Sequence, residues 1–176
     1  AAAAKAIHDL TGDSATATTI LMDLASDDEL GWFELYTLGP IGLGLAEAAP
    51  SIRPLLDTPN VKTRAYAIGA LLRMGVADHQ VVGAARKMFE HPGRSEGPAH
   101  MLHALGDAGP AVKPVARDVL KLFKRKWLCQ FAVYVIGGTG QDARPYLEQI
   151  ASLFGAESIE AQANAAEAHW RITGEA

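Results

Sequence analysis

Six basic residues form the clearest chemical pattern in this sequence. They follow one another at intervals of four, four, three, one and one residues: Lys113, Arg117, Lys121, Lys124, Arg125 and Lys126. We call these six residues the cationic stripe, because on one α-helix the spacing places the first four on a single face. A stripe of this kind attracts an acidic protein surface or nucleic acid. The alternative is a solvated helix face, on which basic residues near the C-terminus complement the helix dipole.

A second pattern could hold a metal ion. Glu96, His100 and His103 are spaced i, i+4 and i+7, which places one carboxylate and two imidazoles on the same face of a helix. The alternative is that they are half-exposed residues next to a helix start at Gly97-Pro98. Because this spacing is common and no second set of ligands is visible in the sequence, we predict no metal and no cofactor.

The aromatic and thiol side chains favour packing over chemistry. Trp32, Trp127 and Trp170 each fall within an apolar helical pattern, so we expect them in the core between repeats, with stacking on a base or ligand as the alternative. Cys129 is expected to be a buried, inert thiol. The sequence contains no Ser-His-Asp order and no phosphate loop, since residues 137–140 lack the Lys-Ser/Thr that such a loop requires. We predict no catalytic residues.

The composition is that of one globular domain covering residues 1–176. Hydrophobic residues make up 49% and charged residues 20% of the chain, and the net charge is −4, which excludes a histone-like protein. The chain has a single cysteine and so cannot form an internal disulfide. A membrane-spanning helix needs about 18 consecutive apolar residues, and no apolar run in the sequence is that long. We therefore expect a cytoplasmic protein without membrane contact. The chain does not begin with Met, so we expect a processed product or a fragment of a longer array.

Internal repeats specify the elements that position these residues. Glycines that close apolar helical runs recur with intervals of 30, 33, 34, 31 and 34 residues: Gly12, Gly42, Gly75, Gly109, Gly140 and Gly174. Each unit is predicted to contain a first helix, a glycine stop and a second helix. Pro114 and Pro145 lie five residues after their glycines and indicate the first turn of two second helices, over residues 110–123 and 141–154. Residues 43–49 are interpreted as an insertion.

The unit resembles a known repeat family. An Ala-rich first helix ending in Leu-Gly-x-x-Gly or Ile-Thr-Gly, followed by Pro-x-x-x-Pro, is similar to the short HEAT-like repeats of bacteria and archaea, the class that includes the phycobilin-lyase-type repeats. The resemblance implies an all-α fold: a right-handed α-solenoid of about five to six helix pairs. It also implies that the second helices line the concave surface.

Three functional hypotheses follow from the stripe and the repeats. The preferred one is a non-catalytic scaffold that binds an acidic protein partner through the cationic stripe. The alternative is nucleic-acid binding or a HEAT-like DNA glycosylase, although the next second helix offers only Arg144 and carries Glu148. A third hypothesis is end-to-end association into a homo-oligomer, because an array that begins and ends within first helices leaves apolar faces uncapped.

Overall fold

The computed structural model describes residues 49–90, 97–106, 108–125 and 127–174, together with six residues nearer the N-terminus: Thr16, Thr19, Asp23, Trp32, Leu35 and Tyr36. These residues are helical wherever they are regular, and they contain no strand. Eight α-helices have described bounds: α1 (Ala49–Ile52), α2 (Val61–Arg73), α3 (His79–Glu90), α4 (Gly97–Leu105), α5 (Ala116–Leu120), α6 (Cys129–Gly137), α7 (Leu147–Ala151) and α8 (Ile159–Thr173). Five 3-10 segments accompany them: Arg53–Asp57, Gly109–Val115, Lys121–Lys124, Gly140–Tyr146 and Ser152–Gly155. The expectation of an all-α fold is confirmed.

The predicted glycine stops are present at the four repeat positions that the structure describes. Each of these glycines has a positive φ: Gly75 (78°), Gly109 (55°), Gly140 (60°) and Gly174 (77°). Within the described ranges, no other residue has a positive φ. Only glycine adopts this backbone region without a steric penalty, so it can close a helix where other residues would extend it. Gly12 and Gly42 lie outside the described residues.

The two second helices that contain proline are not continuous α-helices, and the sequence-based prediction was wrong on this point. The chain is 3-10 over Gly109–Val115, α-helical over Ala116–Leu120 and 3-10 again over Lys121–Lys124. Residues 140–155 repeat this order. Proline lacks the N–H that an α-helix needs and clashes with the preceding turn, so the α-helix begins two residues after Pro114 or Pro145. The shared register of the two units is confirmed.

The first helices, α2, α4, α6 and α8, pack in sequence, each on the next. Gly69 of α2 lies against Ala104 of α4, and Gly137 of α6 lies against Ala168 of α8. Small residues at these positions bring the helix backbones close together. Second-helix segments also meet, because α3 contacts α5 and the segment Gly109–Val115. The largest fully buried side chains come mostly from the first helices: Leu35, Ile52, Ile68, Leu71, Leu72, Met101, Leu102, Leu105, Leu122 and Leu128.

Arg73 contacts both Tyr36, near the N-terminus, and Ala104 of α4. Arg73 is buried at the end of α2 and donates from Nη2 to the carbonyl oxygen of Ala104 at 2.5 Å. Its other terminal nitrogen lies 3.5 Å from the carbonyl oxygen of Tyr36, and its guanidinium lies 5.6 Å from the centre of the Tyr36 ring. Three segments distant in sequence therefore meet at one side chain.

Candidate protein-binding surfaces

The cationic stripe runs over consecutive helical segments of one second helix. Lys113 lies in the segment Gly109–Val115, Arg117 in α5, and Lys121 and Lys124 in the segment Lys121–Lys124. These four side chains are exposed. Arg125 follows the last segment and is half-buried, whereas Lys126 lies outside the described residues. The expectation of one uninterrupted α-helical face is corrected, because 3-10 turns contain about 3.0 residues and change the rotation between neighbours.

Two lysines of the stripe form ion pairs. Lys113 Nζ lies 3.3 Å from Asp142 Oδ1 of the next second helix, and Lys121 Nζ lies 2.7 Å from Asp118 Oδ1. Both lysine side chains remain 70% exposed. The Lys113–Asp142 pair is exposed at both partners and contributes about 0 to 1 kcal/mol to stability, whereas Asp118 is buried. In both pairs the lysine remains accessible to a partner.

The structure adds basic residues that the sequence analysis did not identify. Arg86 of α3 donates from Nε to Oδ2 of Asp118 at 3.2 Å, although the two residues are 32 positions apart in the chain. Lys87 follows Arg86 and is also exposed. Lys87 and Lys121 are 34 residues apart, the interval between the glycine stops of their units, so aligning the repeats would have revealed this pair. The basic surface therefore extends over two neighbouring second helices.

A cavity of about 330 Å³ lies beside Lys87, between α3 and the segment Arg53–Asp57. Its charged lining consists of Arg64, Lys87 and Asp57, together with His79. Arg64 is anchored there, since its Nη1 donates to the carbonyl oxygen of Thr58 at 2.9 Å. The cavity lining thus contains more basic than acidic side chains, and it adjoins the basic surface at Lys87.

The tryptophans do not behave as predicted. Trp127 is 50% exposed and Trp170 is 55% exposed, so the expectation that they lie in the core was wrong. Trp32 is half-buried, and its ring centre lies 5.3 Å from that of Tyr66. The core between the first helices is instead filled by aliphatic side chains and by close glycine–alanine contacts.

A groove of about 330 Å³ crosses the first helices. Seven residues line it: Trp32, Lys62, Tyr66, Ala99, His100, His103 and Phe131. The Tyr66 hydroxyl lies 2.8 Å from Nδ1 of His103. Burial raises the pKa of Tyr66 to about 12, so the hydroxyl keeps its proton at neutral pH and remains a hydrogen-bonding partner of the imidazole. We call this feature the first-helix groove.

The remaining candidate residues give no reactive centre within the described ranges. Glu96 of the metal hypothesis lies outside them, and His103 uses Nδ1 in the hydrogen bond from Tyr66. Among the residues that the structure describes, no group of three acidic, histidine or cysteine side chains could hold a metal ion. Cys129 is buried, as expected. No helix in the same ranges is long and apolar enough to cross a membrane.

Comparison with known proteins does not assign this chain. No family model matches it, and no curated protein matches its sequence. The HEAT-like resemblance therefore rests on the sequence pattern and stays a prediction.

Proposed function

We propose that this chain forms a HEAT-like right-handed solenoid and acts as a non-catalytic scaffold that binds an acidic protein surface. The observation that carries the proposal is the set of exposed basic side chains on two neighbouring second helices, α3 and residues 109–124. Within the described residues, the binding surface consists of Lys113, Arg117, Lys121, Lys124 and Arg125 of the cationic stripe, together with Arg86 and Lys87.

The repeated elements support the solenoid part of the proposal. The first helices stack in order, a positive-φ glycine follows each of them, and second-helix segments of successive units are in contact. Repeat arrays of this kind present one helix of every unit on an extended surface. A partner can then contact several units at once.

The charge balance supports an acidic partner. Arg86, Lys113 and Lys121 face two carboxylates, those of Asp118 and Asp142, and the other exposed basic residues of the surface add further positive charge. A net positive surface steers a negatively charged partner toward it and raises the association rate. The effect falls with salt because the Debye length is about 8 Å at physiological ionic strength.

Nucleic-acid binding is the second candidate, because the basic surface covers two second helices and not one. A duplex would require several phosphate contacts along this surface. The same exposed side chains would make those contacts, so the partner class has to be distinguished by experiment.

The test uses charge reversal at two residues that form no described ion pair. The variant Arg117→Glu/Lys124→Glu and the charge-preserving control Arg117→Lys/Lys124→Arg are titrated with labelled poly-glutamate and with duplex DNA at low and high salt. We expect the parent and the control to bind poly-glutamate in a salt-dependent manner. The reversed variant should bind at least about tenfold more weakly.

Two results would contradict the scaffold proposal. Equal binding of poly-glutamate by the reversed variant and its control would show that the basic surface does not recognise acidic chains. Tighter binding of duplex DNA than of poly-glutamate would assign the surface to nucleic acid.

A further inference from the structure

The first-helix groove carries an aromatic pattern that the proposed function does not use. Tyr66, His100 and Phe131 lie 34 and 31 residues apart, the same intervals that separate the glycines closing α2, α4 and α6. The three side chains therefore occupy one register position on successive first helices. A flat ring at the same place in three units forms a continuous lining across the repeats.

One ring of the lining is open to a partner. Phe131 is 46% exposed, whereas Tyr66 is buried and forms the floor of the groove. Aromatic side chains dominate the binding energy of protein interfaces because they bury a large apolar area at a low cost in conformational entropy. A partner in the groove can therefore bury the exposed area of Phe131.

The polar groups of the groove are donors. In the tautomer in which the Tyr66 hydroxyl donates to Nδ1 of His103, the imidazole hydrogen is on Nε2 and can be donated to a ligand. Lys62 Nζ lies 3.3 Å from the centre of the Trp32 ring, a cation–π contact that holds the ammonium at the groove. Carboxylates are absent from the described lining. The groove thus combines apolar rings with donors that match a carboxylate.

We propose that the first-helix groove binds an extended peptide segment of a partner protein, in which an aromatic or leucine anchor is flanked by a carboxylate. The anchor packs against Phe131 and Trp32, and the carboxylate accepts hydrogen bonds from Lys62 and His103. Single-stranded nucleic acid also stacks on aromatic rings, but it requires a basic track along its backbone. Lys62 is the only lysine or arginine in the described lining, which favours the peptide.

This site is separate from the cationic stripe. The groove is formed by first helices, whereas the stripe lies on second helices. Substitutions in the groove can therefore be tested independently of substitutions in the cationic stripe.

The experiment uses three defined probes: a short synthetic peptide with a Leu-Phe anchor flanked by aspartates, the same peptide with lysines in place of the aspartates, and oligo(dT). Binding is measured by isothermal titration calorimetry with the parent chain and with Phe131→Ala and Lys62→Glu. Trp170→Ala removes an equally exposed aromatic residue outside the groove and is the matched control. Thermal unfolding monitored by circular dichroism checks that each variant is folded.

The proposal expects the aspartate peptide to bind more tightly than the lysine peptide. Phe131→Ala and Lys62→Glu should each weaken that binding at least about tenfold, and Trp170→Ala should leave it unchanged. The stripe variant Arg117→Glu/Lys124→Glu should also leave it unchanged, which separates this result from the test of the scaffold function.

Several results would overturn the proposal. They are the absence of binding by the aspartate peptide, equal affinity for the two peptides, or unchanged affinity in folded Phe131→Ala. Preferential binding of oligo(dT) would assign the groove to nucleic acid.

Discussion

Gly137 of α6 and Ala168 of α8 meet at a contact that has no room for one more carbon atom. A Cβ added at Gly137 would lie 2.5 Å from the Cβ and 2.7 Å from the Cα of Ala168, whereas ordinary contacts begin at 3.4 Å. The two helices would have to separate by about 0.9 Å, the difference between 3.4 and 2.5 Å. Backbone atoms are involved, so a change of rotamer cannot relieve the clash. We therefore predict that Gly137→Ala destabilises the fold.

The magnitude follows from two opposing effects. Overpacking a close contact typically costs about 1 to 3 kcal/mol, and alanine in a helix recovers about 0.5 to 1 kcal/mol relative to glycine. The free energy of unfolding should therefore fall in Gly137→Ala, by about 1 kcal/mol from the middle of both ranges and by about 2.5 kcal/mol at most. Gly83 of α3 is the matched control, because a Cβ there would meet no atom within 4 Å. Gly83→Ala should stabilise the chain by about 0.5 to 1 kcal/mol through helix propensity alone.

Urea unfolding monitored by circular dichroism measures both variants. The expected order of stability is Gly83→Ala above the parent and Gly137→Ala below it. A Gly137→Ala variant as stable as the parent would refute the reasoning, because it would mean that α6 and α8 are not held at this distance.

Two further predictions concern a helix end and an ion pair. Gly75→Ala should lower the free energy of unfolding by about 1 to 2 kcal/mol, because alanine is strained at a φ of 78°. Asparagine tolerates this backbone region better, so Gly75→Asn should recover part of the loss in the same urea assay. Equal stability of the parent and both variants would contradict this reasoning. The hydrogen bond from Arg53 lowers the pKa of Asp78 to about 2, and the backbone N–H of Val81 adds to this effect. Ionised Asp78 therefore stabilises the folded chain fully above its unfolded-state pKa of 3.8, and this stabilisation is lost as the pH falls through about 2. Arg53→Gln should raise the pKa of Asp78 and move that loss to higher pH, which carboxyl NMR titration measures; an unchanged pKa would count against the ion pair.

The repeat arithmetic was sufficient to predict where the backbone enters the left-handed region, since the periodic glycines Gly75, Gly109, Gly140 and Gly174 all have a positive φ. It located the helix ends less well. Gly75 and Gly174 follow the ends of α2 and α8, whereas Gly109 and Gly140 begin the 3-10 segments, after α4 has ended at Leu105 and α6 at Gly137. The internal structure of the second helices was harder to predict. Proline is compatible with both a first α-helical turn and a 3-10 turn, and the sequence pattern does not distinguish between them.

The exposure of the aromatic residues could not be predicted from helical spacing. Periodicity indicates which residues share a helix face, but it does not say which face a neighbouring helix covers. In α6 the covered face carries Val133, Ile136 and Gly137, the last in close contact with Ala168 of α8. Phe131 lies on the same helix but outside that face and is 46% exposed, and Trp127 precedes the helix and is 50% exposed.

Asp118 shows why the basic surface is wider than the sequence indicated. Its buried carboxylate accepts hydrogen bonds from Arg86 and from Lys121, which come from successive second helices. A buried carboxylate requires such partners, since an unpaired charge in this position would be strongly destabilising. The contact therefore aligns the two helices and, at the same time, brings their exposed basic side chains together. The packing of this layer thus depends on Asp118, so Asp118→Asn should lower the free energy of unfolding in the urea assay. The same change removes one negative charge from the basic surface, so the folded variant should bind poly-glutamate at least as tightly as the parent, whereas the first-helix groove should be unaffected.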